Sequence, residues 1–478
     1  MEELKARINQ EEAYIMVFNR YIFREYDIRG RYPDDIDEEI TKKIAIGFAS
    51  ILPDAKSLVA AMDGRLSSPG LKRAFIDGVT SCGRDVIDVG LVPIPLFYFA
   101  IMHHRLDGGF MISGSHNPKE YNGIKLQREQ CIPIDGNSGV YQIRDMIEGS
   151  QLKAADEGGK RGRVSRLDVL NEYLNFVAAK IKLKRGLKVV IDSGNGACGL
   201  IPEMIFKMLG CSVKTLYGDI DGNFPNHLPD PHETESLKEL QKAVVDEGAD
   251  CGFAFDGDGD RVGLIDEKGC VVSGDFIIMM LARDLLSRKK GNVIVDIRGS
   301  KAYIEDITAH GGRGIISKAG RTNIMESIRR ENAVFGGELT GHIFFPVDYY
   351  NYDDGIFVAL KLAEVISGIR SLSRYVASLP RYNASPEFFI DCPDDVKFKK
   401  VEEFRELLKK RGYNFLDVGD IRINIGKGWA LVRASNTTPY IKCRFEGTTA
   451  EELEHIKKIA LGLLSETGVD IHNARTTA

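Results

Sequence analysis

Short apolar runs that end in aspartate recur along this chain: SLVAAMD over 57–63, LKVVID over 187–192, CGFAF ahead of Asp256, and NVIVD at the start of 292–300. Each is bounded by turn formers and reads as a buried strand. Stretches with helical periodicity lie between them, among others over about 37–51 and 271–288. Strand and helix alternate through residue 110, and the strand-then-aspartate unit returns across the first 380 residues. That recurrence predicts several related α/β domains with largely parallel or mixed sheets. After Leu379-Pro380 the pattern changes to a ββαβ-like one, in which 429–446 is two strands joined by a polar turn, so an α+β domain is expected there. Residues 1–20 carry Leu4, Ile8, Ile15 and Phe18 among charges, a loose helical pattern. The polar, glycine-rich stretch Gly149–Gly162 marks the first boundary. The expected domains are 1–162, 163–269, 270–380 and 381–478.

Length supports several domains, since 478 residues exceed what one hydrophobic core carries. A net charge of -5 gives no drive toward nucleic acid or an anionic membrane, so any anionic ligand has to be held by local arginines and lysines. The most apolar segment, Leu91–Met102, is too short to span a bilayer and contains Pro93 and Pro95. The charged N-terminus lacks the apolar core of a signal peptide. Eight cysteines without a CxxC pair fit a reducing cytoplasm better than disulfides or a zinc site.

The sharpest chemistry lies at FAFDGDGDR, residues 253–261. In an extended backbone Asp256, Asp258 and Asp260 project to one side, and three carboxylates so close are tolerable only around a cation. Oxygen ligands alone point to Mg²⁺ or Ca²⁺. Arg261 adds a positive charge that suits a phosphate. An EF-hand is the rival reading, with Glu267 at its twelfth position. It needs glycine where Arg261 stands and helices where the flanks read as strands.

Gly108–Lys125 is a buried-looking strand running into Ser115-His116-Asn117-Pro118. A serine exposed on a tight turn at a strand end is placed to be a nucleophile if it finds an activator. Adjacent side chains on an extended turn point apart, so His116 reads as a loop stabiliser rather than as its base. Lys125 is the better group to neutralise charge on the substrate or on a modified Ser115. Gly194, Gly196 and Gly199 match the dinucleotide fingerprint, with Asp219 at the end of a second strand. This supports an alternative NAD-dependent oxidoreductase reading. Glu338, Thr340 and His342 alternate in VFGGELTGHIF, a spacing that lets all three face one cleft and contact the hydroxyls of a polyhydroxylated ligand. Arg433, Ser435, Asn436 and Thr437 form a turn suited to cradle a phosphate without metal.

With SHNP, DGDGDR, GELTGH and RASNTTP in this order, the chain resembles the α-D-phosphohexomutases, most closely their phosphomannomutase/phosphoglucomutase group, from about Tyr21 to about Glu446. The resemblance implies three related α/β mixed-sheet domains and a C-terminal α+β lid, arranged around a central cleft. It implies a phosphohexomutase, an isomerase that interconverts hexose 1- and 6-phosphates of mannose or glucose, with glucosamine phosphate as the alternative substrate. Mg²⁺ and a glucose or mannose 1,6-bisphosphate would be its cofactors, and small-molecule sugar phosphates its only implied partners. By match, Ser115 carries the transferable phosphate and joins Asp256, Asp258 and Asp260 as a metal ligand. Tyr26, Arg29 and Lys125 surround it, with Arg261 beside them. Glu338, Thr340 and His342 match the sugar-binding loop, and Arg433, Ser435, Asn436 and Thr437 the distal phosphate loop. Three positions depart from the family pattern. Gly114 replaces alanine, Thr438 replaces glutamate, and Arg321 in Lys318-Ala319-Gly320-Arg321 replaces histidine; Lys318 and Arg321 are expected ligand contacts, and the one at Arg321 differs from the family's.

Overall fold

A computed structural model describes residues 18–152, 159–435 and 438–476. The helix expected over 1–20 lies almost wholly outside them. The apolar runs are strands, gathered into four sheets that follow one another along the chain. In the first, the order across the sheet is Ile28–Arg31, Tyr121–Arg128, Gly108–Ile112, Ser57–Met62, Asp85–Leu91 and Val164–Arg166. The second runs Val271–Val272, Val262–Asp266, Cys251–Phe255, Lys188–Asp192 and Ser212–Leu216. The third is Arg313–Ser317, Asn292–Asp296, Phe335–Gly337 and Ile343–Phe344.

One pattern underlies these three. A central strand has a parallel neighbour on each side, and one neighbour turns back as an antiparallel hairpin partner: 57–62 flanked by 85–91 and 108–112, 188–192 by 212–216 and 251–255, 292–296 by 313–317 and 335–337. The hairpins are 108–128, 251–266 and 335–344. Their loops hold Ser115, the three aspartates, and Glu338 to His342, so the three motifs occupy equivalent places in a repeated unit. The aspartate ending each central strand accepts the backbone N–H two residues on: Asp63 from Arg65, Asp192 from Gly194, Asp296 from Arg298. This shared turn is what the recurring strand-then-aspartate theme encodes.

The chain divides into two compact units, residues 1–92 with 99–169, and residues 93–98 with 170–478. In the first, the helix Glu38–Ile51 starts where Asp37 accepts from Ile40 N at 2.9 Å. It buries Ile40, Ile44 and Phe48, one turn apart, in a core that includes Phe75 stacked on Phe110. In the second unit, the helix expected from Val271 begins only at Gly274, because Val271 and Val272 pair instead with Ile265 and Leu264.

The fourth sheet is wholly antiparallel, in the order Phe415–Asp417, Ile421–Ile425, Gly428–Ala434, Tyr440–Gly447, Phe388–Asp391 and Arg475–Thr476, with Asn383–Ala384 also pairing with 440–447. It has more strands than the ββαβ pattern suggested, because two- to four-residue strands carry too little periodicity to register. The helices Lys397–Lys410 and Ala450–Ser465 bury Phe404, Leu408, Ile456 and Leu464 in its core. Among the described residues no helix is long and apolar enough to cross a membrane, and the apolar segment after Leu91 is the buried helix Ile94–His103.

Candidate active site

In the first unit the loop after Gly108–Ile112 is organised by Arg65, which the motifs did not single out. Its guanidinium is buried and donates to the carbonyls of Ser115 at 2.7 Å, Asn117 at 2.6 Å, Pro118 at 2.6 Å and Tyr121 at 2.8 Å, while Asp63 balances its charge. The loop is wrapped around a cation. Gly114 is explained by this, since a Cβ there would lie 2.5 Å from Arg65 Cζ, and Arg65 is held too firmly to move.

Ser115 has φ +48°, a left-handed conformation that costs about 1 kcal/mol for a residue with a Cβ. Two expectations change here. Ser115 is only 3% exposed rather than standing out from a turn, because its loop folds onto Arg65. Its Oγ also lies 3.2 Å from His116 Nδ1, since the left-handed residue turns the neighbouring side chains together instead of apart.

Arg29 reaches the same loop. The pairing of Arg29 with Gly123 leaves room for its side chain, with Cγ 3.1 Å from where a Cβ of Gly123 would be. It donates to Asn117 Oδ1 and, at 3.4 Å, to Gly114 O, and it pairs with Asp27 at 2.7 Å. Lys125 lies two residues beyond Gly123 and therefore on the same sheet face. Lys125 and Tyr26 are half-buried.

In the second unit the aspartate loop joins two buried strands, which rules out helical flanks and with them an EF-hand. The carboxylates converge through a tight turn, with Gly259 at φ +80°, rather than along an extended strand. Ligand atoms of Asp256, Asp258 and Asp260 all lie within 4.8 Å of one another, and all three residues are buried. Three buried carboxylates with only oxygen to offer fit a hard divalent cation such as Mg²⁺. Asp256 also serves the loop, accepting Gly259 N at 3.0 Å and Arg261 N at 3.1 Å on Oδ1 and Arg261 Nε and Nη2 on Oδ2. Burial pulls the pKa of Arg261 down, but Asp256, Asp230 and Asp260 outweigh it and hold the guanidinium charged.

Beside this loop stands a network that joins two residues singled out from the sequence, His342 and Arg321, through one that was not, Asp353. Asp353, fully buried, accepts from His342 Nδ1 at 2.7 Å and from Arg321 Nε at 2.8 and 2.7 Å. His342 Nδ1 is also 3.8 Å from Asp260 Oδ1. Burial disfavours charge at both ends of the pair. For Asp353 it is outweighed by Arg321 and His342, which hold the carboxyl well below the usual range. For His342 the charge of Asp260 and the bond to Asp353 outweigh it, and the pKa rises. Asp260, His342 and Asp353 are close enough to suggest a second metal site. Arg321 already supplies Asp353 with a cation, so the group reads as an ion-pair network. Arg321 is further covered by the Tyr98 ring, 4.8 Å from its Cζ. The signal for Asp353 was Asp-Asp ahead of a helix, where Asp354 caps Gly355–Ser367.

Glu338, Thr340 and His342 do not alternate along a strand. Residues 338–341 form a turn with Gly341 at φ +87°, and Glu338 N donates to His342 O at 2.9 Å. Glu338 goes to Arg298 Nη2 at 2.6 Å, His342 goes to Asp353, and Thr340 is half-buried in the turn. Arg298, paired as well with Asp296, is another residue the motifs did not reveal.

Lys318 is half-buried, its stem lying along Gly419. Arg433 pairs with Glu387 at 3.0 Å. Ser435 Oγ and Thr438 Oγ1 are 2.7 Å apart, so Thr438 closes the loop with a hydroxyl where a carboxylate is the family habit. Asn436 and Thr437 lie outside the described residues.

The dinucleotide reading fails on hydrogen bonds. In Gly194–Gly199 the amide N–H groups of Gly194, Asn195, Gly196, Ala197 and Gly199 donate to Asp192, Tyr217, Ser193, Gly257 and Gly196, so the turn is spent on packing rather than offered to a pyrophosphate. Asp219 lies beyond the end of the strand Ser212–Leu216 and uses its carbonyl to hold Asn195 Nδ2.

Four sequence profiles, described as phosphoglucomutase/phosphomannomutase alpha/beta/alpha domains I, II and III and the C-terminal domain, match residues 20–153, 171–269, 273–382 and 390–461. The chain belongs to the phosphoglucomutase/phosphomannomutase family. It is 39% identical over 446 residues to the phosphomannomutase/phosphoglucomutase of Pseudomonas aeruginosa, covering 92% of this chain and 94% of that one. It is 34% identical over 449 residues to a phosphoglucomutase of Neisseria meningitidis, covering 92% and 95%. A crystal structure of a phosphoglucomutase/phosphomannomutase family protein from Burkholderia thailandensis superimposes with a TM-score of 0.88 at 32% identity, covering 95% of this chain and 98% of that one. The four-domain α/β architecture is that of this family, and the enzyme is a phosphohexomutase, an isomerase of carbohydrate metabolism.

Proposed function

We propose that this phosphohexomutase moves phosphate reversibly between O6 and O1 of an aldohexose, accepting mannose and glucose phosphates, by way of phosphate carried on Ser115 and a hexose 1,6-bisphosphate. The observation that carries the reading is the buried three-carboxylate loop of Asp256, Asp258 and Asp260, which has the donor set for Mg²⁺ in a chain of this family. Bound there, Mg²⁺ would offset charge on the transferring phosphoryl group.

The chain's own residues do the rest. Arg29, already on the Ser115 loop, and Lys125 on the same sheet face neutralise charge around that serine, with Tyr26 nearby. Arg261 fixes the shape of the metal loop through Asp256. Glu338 and Thr340 present acceptors and a hydroxyl to the sugar. His342, oriented by Asp353, presents its other ring nitrogen as a donor. Arg321 acts through Asp353, while Lys318, Arg433 and Ser435, with Asn436 and Thr437, take the distal phosphate. We place the enzyme in a reducing cytoplasm, in keeping with the lack of any disulfide among its eight cysteines.

A coupled assay with glucose 1-phosphate or mannose 1-phosphate, Mg²⁺ and a trace of glucose 1,6-bisphosphate should yield the 6-phosphate. Intact-mass analysis should show one added phosphate, absent from Ser115→Ala together with nearly all activity. A protein that turns over no hexose phosphate, or Ser115→Ala that keeps the added mass, sinks this reading.

A further inference from the structure

Three consecutive carbonyls of the aspartate loop are each taken by a backbone N–H from a different part of the chain. Ala197, in the glycine turn, donates to Gly257 O at 2.8 Å. Ile94, after Pro93, donates to Asp258 O at 2.8 Å, and Gly355, first residue of its helix, donates to Gly259 O at 3.1 Å. The donors are themselves fixed. Ser193 Oγ closes the glycine turn on Gly199 O at 2.6 Å, and Asp354 caps the 355–367 helix at Phe357 N while accepting from the hydroxyls of Tyr173 and Tyr349.

The packing leaves no slack. A Cβ on Gly355 would lie 2.7 Å from Arg261 O and 2.8 Å from Gly259 O, and one on Gly196 would lie 2.9 Å from Gly257 O. All three obstacles are backbone atoms. Neither glycine has a positive φ, so what each provides is close approach rather than an unusual conformation.

We infer that Ala197, Ile94 and Gly355 form a three-sided backbone clamp that presets the aspartate loop for a small dication, and that this clamp favours Mg²⁺ over Ca²⁺, with Gly355 as a positioning residue. The inference rests on the metal site proposed above. Ca²⁺ takes six to eight oxygens at about 2.3–2.6 Å, often including backbone carbonyls, whereas Mg²⁺ accepts fewer protein ligands at about 2.0–2.1 Å. A loop whose carbonyls are tied to three separate segments cannot widen, or swing those carbonyls round toward a larger cation, without breaking the ties. The clamp also holds three carboxylates together before any cation arrives, against their repulsion.

Titration calorimetry with Mg²⁺ alone and Ca²⁺ alone, with no sugar present, tests this. Wild-type protein should bind Mg²⁺ the more tightly. Gly355→Ala should weaken Mg²⁺ binding about tenfold, as removing support behind a metal ligand does, and weaken Ca²⁺ binding clearly less. Equal losses for both cations, or no loss, overturn the clamp. Wild-type protein that binds neither cation overturns the metal site itself and the functional reading with it. Hydrogen exchange on the wild type needs no variant: the amides of Ile94, Ala197 and Gly355 should be as protected in EDTA as in Mg²⁺. Protection that appears only with Mg²⁺ means the cation, and not the clamp, shapes the loop.

Discussion

His227 sits between two acceptors, Nδ1 2.9 Å from Leu228 O and Nε2 3.0 Å from Asp192 Oδ2, and only the imidazolium can donate to both. Burial lowers its pKa, but the bond to Asp192 and that residue's charge outweigh it and raise it. The folded chain therefore holds this proton more tightly than the unfolded chain. The stabilisation is complete below the unfolded pKa of about 6.5 and fades as pH rises through the higher folded value. Melting temperature should fall from pH 6 to 9 more steeply in wild type than in His227→Gln, and parallel profiles would remove His227 from the account. The aspartates of the 256–260 loop separate by role in the same way. Asp256→Ala leaves Arg261 buried without its main partner and should cost about 3 kcal/mol in a denaturant titration. Asp258→Asn relieves like-charge repulsion, so in EDTA it should be at least as stable as wild type, while losing the stabilisation that Mg²⁺ would add at the proposed site.

At the scale of elements, the three equivalent hairpins place the candidate site residues in loops on a rigid frame: a strand end fixed by its ladder aims the loop that follows. The Ser115 loop adds a buried cation as its core, so its tolerance for change is set by Arg65. Gly114→Ala, which restores the residue usual in the family, should nonetheless cost about 1–3 kcal/mol through overpacking against Arg65 and lower kcat. Pairing it with Arg65→Lys frees space at the clash and should recover part of the stability, measured by thermal unfolding. Simple additivity of the two losses would mean that the clash is not with Arg65.

At the scale of the molecule, the fourth sheet docks on the third through the turn after Asp296. Arg422, buried over the Trp429 ring, donates to Ile297 O at 2.7 Å and Gly299 O at 2.8 Å, Arg444 donates to Arg298 O at 2.9 Å, and Glu446 accepts from Lys301 N at 2.8 Å. The turn that carries Arg298, and through it Glu338, is thus tied to the sheet that carries Arg433 and Ser435. Asn383 and Ala384 already pair with Gly447 and Glu446, so any swing of this sheet as a lid pivots at Pro380 to Tyr382. Arg422→Ala loses two charge-assisted bonds, about 2–4 kcal/mol. It should raise KM for glucose 1-phosphate and expose the chain near 380–382 to protease. An unchanged KM with unchanged protease resistance would assign the docking to Arg444 and Glu446.

What the sequence by itself determined is local: strands, because burial on both faces forces short apolar runs; turns, because an aspartate or glycine must follow them; and clustered chemistry, because residues two or three apart in a loop stay near one another wherever the loop lies. Ser115, the three aspartates and the repeated unit were legible for that reason. The partners were not. Asp353 meets Arg321 across 32 positions, Arg298 meets Glu338 across 40, and Arg65 meets Ser115 across 50. Each pair exists only because the fold brings together segments far apart in the chain: strand ends for Arg65 with Ser115 and Arg298 with Glu338, and the approaches to two helices for Arg321 with Asp353. The glycine turn at 194–199 shows the limit most plainly, since the same residues suit a pyrophosphate or another loop's backbone. Only the tertiary structure, by setting Gly257 O against Ala197 N, decided which of the two they serve.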